Sequence, residues 1–180
     1  MAAGRRILMW SLNEVAGLVQ KAARGAGVPL GQAEDLARTA FYLAGIGSDL
    51  HPITLALQEP MPHVDVRWDN RTMTVISGPV VLVGPIVRDA FAMGYDTATL
   101  ADMAHAPMVA AYLAADGVAQ AWAGLTISRS ETEILPVKYK HVSVPDSDWA
   151  IWNALAARTY VPESDASRLA GAGAGLTDND

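Results

Sequence analysis

The chain has 180 residues, 51% hydrophobic and 18% charged, which suits one folded domain and argues against both disorder and a highly charged coiled coil. A formal net charge of −6, with only Arg5-Arg6 and Lys138-Tyr139-Lys140 as close basic pairs, leaves no row of cations to neutralise a nucleic-acid backbone. The absence of cysteine removes disulfides, thiolate metal sites and thiol nucleophiles.

At the start, Arg5-Arg6 precedes an apolar run of Ile7, Leu8, Met9 and Trp10 that is too short for the core of a signal peptide. The most apolar stretches, residues 79–87 and 103–115, fall short of the ~20 residues a membrane span needs, so a cytoplasmic protein without a membrane partner is expected. Ser11-Leu12-Asn13-Glu14 has the pattern of a capping box, and Leu12, Val15, Val19 and Ala22 follow at helical spacing. This first helix should stop near Ala26-Gly27, ahead of Pro29. A second is predicted over residues 32–44, with Ala33, Leu36, Ala37, Ala40, Phe41 and Leu43 on one face and Gly45-Ile46-Gly47 as its stop. Small residues on both helices favour a closely packed hairpin, and residues 48–58 accommodate one more short helix.

The pattern then changes to period two. Residues 64–68 and 72–76 alternate around Asp69-Asn70-Arg71, as a β-hairpin would. Residues 80–83 extend the sheet in this reading, and Pro85 opens a helix that runs to about Met93. Residues 97–100 fit helix and strand alike. Residues 107–115 read as a buried helix, and residues 120–128 and 131–144 as a second hairpin turning at Arg129-Ser130. A last helix is predicted from Asp146, capped by its side chain, to Tyr160, with Trp149, Trp152, Leu155 and Ala156 facing inward. Residues 1–162 would form a single globular domain, and residues 163–180 a Gly-rich tail without apolar periodicity.

The resulting expectation is an α+β fold in which an N-terminal helical hairpin and further helices pack on a mainly antiparallel sheet. Leu12, Val15, Phe41, Val75, Val81, Leu113 and Trp152 belong to its core.

Few residues carry a chemical pattern. His51, His63, His105 and His141 share no spacing that would place two ligands on one helix face, so no metal is predicted, although Asp49, Asp65 or Asp102 could join them across the fold. His51 stands out because it follows a glycine-rich helix end in Gly45-Ile46-Gly47-Ser48-Asp49-Leu50-His51-Pro52, where an open backbone can form a pocket beside a titratable ring. In one reading His51, with Asp49, is a general acid or base; in the other the two residues cap the next helix and Pro52 occupies its first turn.

Gly171, Gly173 and Gly175 could form an anion nest, but the Lys-Ser/Thr of a phosphate loop is missing. Asp178-Asn179-Asp180 does not match a calcium loop. The cofactor is left unspecified. Five tryptophans and narrow apolar helix stripes suit either core packing or a subunit interface.

Trp10-Ser11-Leu12-Asn13-Glu14, Lys21-Ala22-Ala23-Arg24-Gly25-Ala26-Gly27 and Gly31-Gln32-Ala33-Glu34 are similar to an uncharacterised bacterial family of domains of unknown function. Arg158 to Pro162, Ser167-Arg168 and the ending Gly173-Ala174-Gly175-Leu176-Thr177-Asp178-Asn179-Asp180 extend the likeness. That resemblance implies a bacterial cytosolic protein and assigns no activity.

The first 50 or so residues also resemble the opening of the malate/L-lactate dehydrogenase family, which continues into a catalytic Ser-His-Gly. Here Ser48-Asp49-Leu50-His51 carries two more residues between Ser and His, and Pro52 follows. The leading functional expectation is an accessory or structural subunit in small-molecule metabolism, as a homo-oligomer or in a hetero-complex with a metabolic enzyme. The alternative is a small, dehydrogenase-like enzyme using His51.

Overall fold

A computed structural model describes residues 8–101 and 103–160. Asp102 and the expected tail, with its glycine run and Asp178-Asn179-Asp180, lie outside the described residues.

Strand β1 (Met9–Ser11) leads directly into α1 (Leu12–Gly25), and the capping box forms as its spacing requires. The Ser11 hydroxyl accepts from the Glu14 backbone N–H at 3.2 Å, and the Glu14 carboxylate accepts from the Ser11 N–H at 2.8 Å, which satisfies two free donors of the first turn. Leu12, Val15, Val19, Ala22 and Ala23 form the buried stripe. Helix α2 (Leu30–Ile46) packs along α1 and ends at Gly47, whose φ of 74° is the left-handed geometry glycine accepts without strain.

Then come α3 (His51–Gln58), the hairpin β2 (Asp65–Asp69) and β3 (Thr72–Ser77), α4 (Val80–Ala92), β4 (Thr97–Leu100) and α5 (Pro107–Ala115). The chain continues through β5 (Gln120–Ala123), β6 (Thr126–Arg129), β7 (His141–Ser143) and α6 (Asp146–Ala157).

Five strands form a sheet in the order β2-β3-β4-β6-β5, in which only β3 and β4 run parallel, and β1 pairs with β7 in a separate antiparallel ribbon. The register aligns Trp68, Met73, Ala98, Ile127 and Trp122 across one face, with Val66, Val75 and Leu100 beside them. That face meets α4 and α5, and α2 packs on the far side of those two helices. Helix α6 lies against α1 and α3. A Cβ at Gly25 would run into the Leu155 carbonyl, so this glycine permits the close approach of α1 and α6.

The fold is therefore α+β with a packed N-terminal helix pair. Of the expected core, Leu12, Val15, Val75, Val81, Leu113 and Trp152 are buried, whereas Phe41 is only half-buried.

Three local expectations are corrected. Residues 80–83 are the first turn of α4, which begins after Pro79 and contains Pro85 in its interior. This helix is enclosed by the sheet and by α2, α3 and α5, so Val80, Val81, Val83 and Val87 are all buried, and a segment apolar on every side shows no helical period.

The second hairpin lies within residues 120–129. It turns at Gly124-Leu125, with Gly124 at φ 61°, a glycine-first two-residue turn. Residues 131–140 form no strand, and β7 pairs with β1. Finally, the N-cap of α6 is Pro145 and no side chain caps it: the Pro145 carbonyl accepts from the Trp149 N–H at 3.0 Å, and the helix ends at Ala157, three residues before Tyr160.

Candidate functional site

The loop after Gly47 leads into α3 at His51, with Pro52 at its second position, where the missing N–H costs nothing. Asp49 Oδ1 accepts from the His51 backbone N–H at 3.0 Å, so this carboxylate holds the start of α3. The ring of His51 is turned toward another element. Its Nδ1 lies 2.9 Å from Oδ1 of Asp148 in the first turn of α6. Against a carboxylate, which only accepts, Nδ1 carries the hydrogen.

The two partners differ sharply in exposure: the His51 side chain is 50% exposed and that of Asp148 only 2%. Among the described residues the ring's other nitrogen, Nε2, has no hydrogen-bond partner. The arrangement is thus a titratable ring at the surface, with one nitrogen fixed by a buried carboxylate and the other open. A carboxylate in the first turn of α6 also meets the positive end of the helix dipole.

Polar groups on the same two helices are incompletely matched. Asp148 Oδ2, Thr54 Oγ1 and Trp152 Nε1 are buried without hydrogen-bond partners. Thr54 lies three residues beyond His51 on α3, and Trp152 four beyond Asp148 on α6, so each sits one turn along the same helix face.

A second buried carboxylate lies elsewhere. Asp35 of α2 accepts from Arg88 Nη1 of α4 at 2.5 Å and also from Arg38, and Arg88 in turn donates to Asp89 at 2.8 Å and approaches Asp116 at 3.3 Å. Burial works against the charge on Arg88, but its hydrogen bonds to Asp35 and Asp89 prevail and push its pKa up. Close by, burial raises the pKa of the Tyr112 hydroxyl, with the Asp35 charge adding to the effect. These groups tie α2, α4 and α5 together.

The remaining expected residues do not converge on His51. His105 Nε2 is 3.6 Å from Glu59 Oε1 just past the end of α3, and its φ of 57° is left-handed, unusual outside glycine. His141 belongs to β7 and Asp65 to β2. Among the described residues no group of three or more His, Asp or Glu could hold a metal ion, and no helix is long and apolar enough to cross a membrane.

Sequence reasoning missed Asp148. Its signal was nevertheless present: it falls one turn before Trp152, on the apolar stripe of the last helix, where a charge demands a partner.

A family model described as a protein of unknown function (DUF3726) matches residues 10–49, which covers α1, α2 and Asp49 and stops short of His51 and Asp148. No curated protein and no solved structure matches the chain.

Proposed function

We propose that the chain is a small metabolic enzyme in which His51 is the general acid or base, Asp148 orients its ring and Asp49 fixes its backbone. The reading rests on the 2.9 Å contact between a half-exposed imidazole and a buried carboxylate. Imidazole exchanges protons near neutral pH, and a carboxylate on Nδ1 selects the tautomer whose Nε2 lone pair is free to take a proton from a hydroxyl or, once protonated, to give one to a carbonyl. The likeness of the opening residues to malate/L-lactate dehydrogenases supports a small hydroxy acid as the substrate class.

The test is a panel of 2-hydroxy and 2-keto acids with nicotinamide cofactors, run on the wild type and on His51→Ala and Asp148→Asn. Turnover of one substrate that falls about 10²–10⁴-fold in His51→Ala supports the assignment. Turnover that survives the substitution removes it. Asp148→Asn should lower kcat more than it changes KM, because it alters the tautomer and not the binding surface.

A second reading, an accessory subunit in small-molecule metabolism, is favoured by a different observation. Leu135 (60% exposed), Val137 and Tyr139 line an irregular segment that runs along the end of α2 into the β1–β7 ribbon, where Leu8 and Met9 are also exposed. Apolar side chains gathered on one strip suit coverage by another chain. Native mass spectrometry of the protein isolated from its host at low salt would show a second kind of chain if this reading holds, and only this chain if it does not.

A further inference from the structure

A separate groove of about 410 Å³ runs between α1 and α6, on residues that contribute nothing to the His51 site. On α1, Asn13, Gly17 and Lys21 follow one another at intervals of four, forming a single ridge with a notch at its middle. On α6, Trp149, Asn153 and Ala156 form the facing ridge. Trp10 closes one end by stacking on Trp149, with ring centroids 3.8 Å apart and planes 11° from parallel.

Gly17 is the informative residue. A glycine inside a helix is about 1 kcal/mol less favourable than alanine, and Gly25, Gly45 and Gly84 each face a neighbour that a Cβ would strike. Here a Cβ would meet nothing within 4 Å. The space above Gly17 belongs to the groove.

The chemistry along the groove is graded. Its Trp10–Trp149 end offers indole surface, which takes flat unsaturated rings. At the other end Lys21, whose stem leans back toward the helix N-terminus and hence toward Gly17, forms no ion pair among the described residues. Glu14 also lines the groove, but its Oε2 accepts from both the Ser11 N–H and hydroxyl at 2.8 Å, which holds this carboxylate at the N-terminal end of α1, seven residues before Lys21. Asn153 has its amide donor engaged by the Trp149 carbonyl at 2.8 Å, so its carbonyl oxygen remains available.

We propose that the groove between α1 and α6 binds a small ligand made of a flat aromatic ring and one anionic group, with the ring at Trp10 and Trp149, its body over Gly17 and the anion at Lys21. The proposal is independent of any role for His51.

Three probes separate its parts. Indole-3-acetate carries ring and anion, tryptophol the ring without the charge, and cyclohexylacetate the charge without the aromatic ring. Each is titrated into the ¹⁵N-labelled full chain while the tryptophan indole N–H signals are followed, with assignment through Trp10→Phe and Trp149→Phe. Indole-3-acetate should shift the Trp10 and Trp149 signals saturably, and the other two should bind about tenfold more weakly or worse.

Lys21→Gln should weaken indole-3-acetate about tenfold and leave tryptophol unchanged. Gly17→Leu should abolish binding while holding or raising the thermal midpoint, since leucine is the better helix former and its Cβ meets nothing within 4 Å. An equal response to all three probes, undiminished binding by Gly17→Leu, or no response at millimolar probe would each overturn the assignment. So would concentration-dependent self-association that Gly17→Leu abolishes, because the occupant would then be a second copy of the chain.

Discussion

Two carboxylates are buried among the described residues, and they are treated in opposite ways. Asp35 is met by two guanidiniums, and Arg88 is itself shared among Asp35, Asp89 and Asp116. Asp148 meets one imidazole through one oxygen and has the other left without a partner. Arginine holds its proton at any ordinary pH, so the first cluster is a permanent link between helices. Imidazole is a side chain suited to general acid–base work, so the second pair is the one on which the proposed function rests. A saturated network reads as structure, and a half-satisfied one facing solvent through a titratable ring reads as chemistry.

The comparison breaks most readily at Arg88. Arg88→Met leaves Asp35 with only the more exposed Arg38, and should destabilise the protein by about 3 kcal/mol, the low end for breaking a buried pair, in urea unfolding. A loss below that of any His51 variant would invert the contrast.

His51→Ala is expected to have the intermediate effect, about 1–3 kcal/mol, because it leaves a buried carboxylate unpartnered. Adding Asp148→Asn should restore part of that loss, since an amide costs less to bury than an unpaired charge. No recovery in the double variant would mean that the two residues are not energetically coupled.

The smallest effect comes from an exposed carboxylate with the same kind of local satisfaction. Ser11→Ala removes one side of the capping box and should cost roughly 1 kcal/mol. Hydrogen bonds from the Ser11 backbone and then its hydroxyl hold the Glu14 carboxyl below its ordinary value of 4.5, so its contribution is complete above that value and is lost as pH falls through the depressed one. Glu14→Gln should flatten this acid limb of the stability profile, and an unchanged limb would assign the pH dependence to other groups.

Much of the fold was legible in the residue pattern where local physics decides it. The Ser11–Glu14 box, the Gly47 stop, the Asn70 turn and α5 at residues 107–115 all depend on neighbours within one or two helical turns, or on one backbone conformation. The candidate site was legible only in half. The glycine-rich approach to His51 marked the ring, but its partner lies 97 residues away, and spacing carries no information about which faces meet.

From its sequence alone, then, this protein determined its class, its helical hairpin, its first β-hairpin and nearly all of the predicted core, because propensity, capping and burial period act locally. Tertiary structure decided the rest. The parallel pairing of β3 with β4, the pairing of β7 with β1 and the helical state of residues 80–83 follow from what each segment meets across the fold. The same holds for His51 against Asp148, because the energy of a buried charge is set by the one group that reaches it.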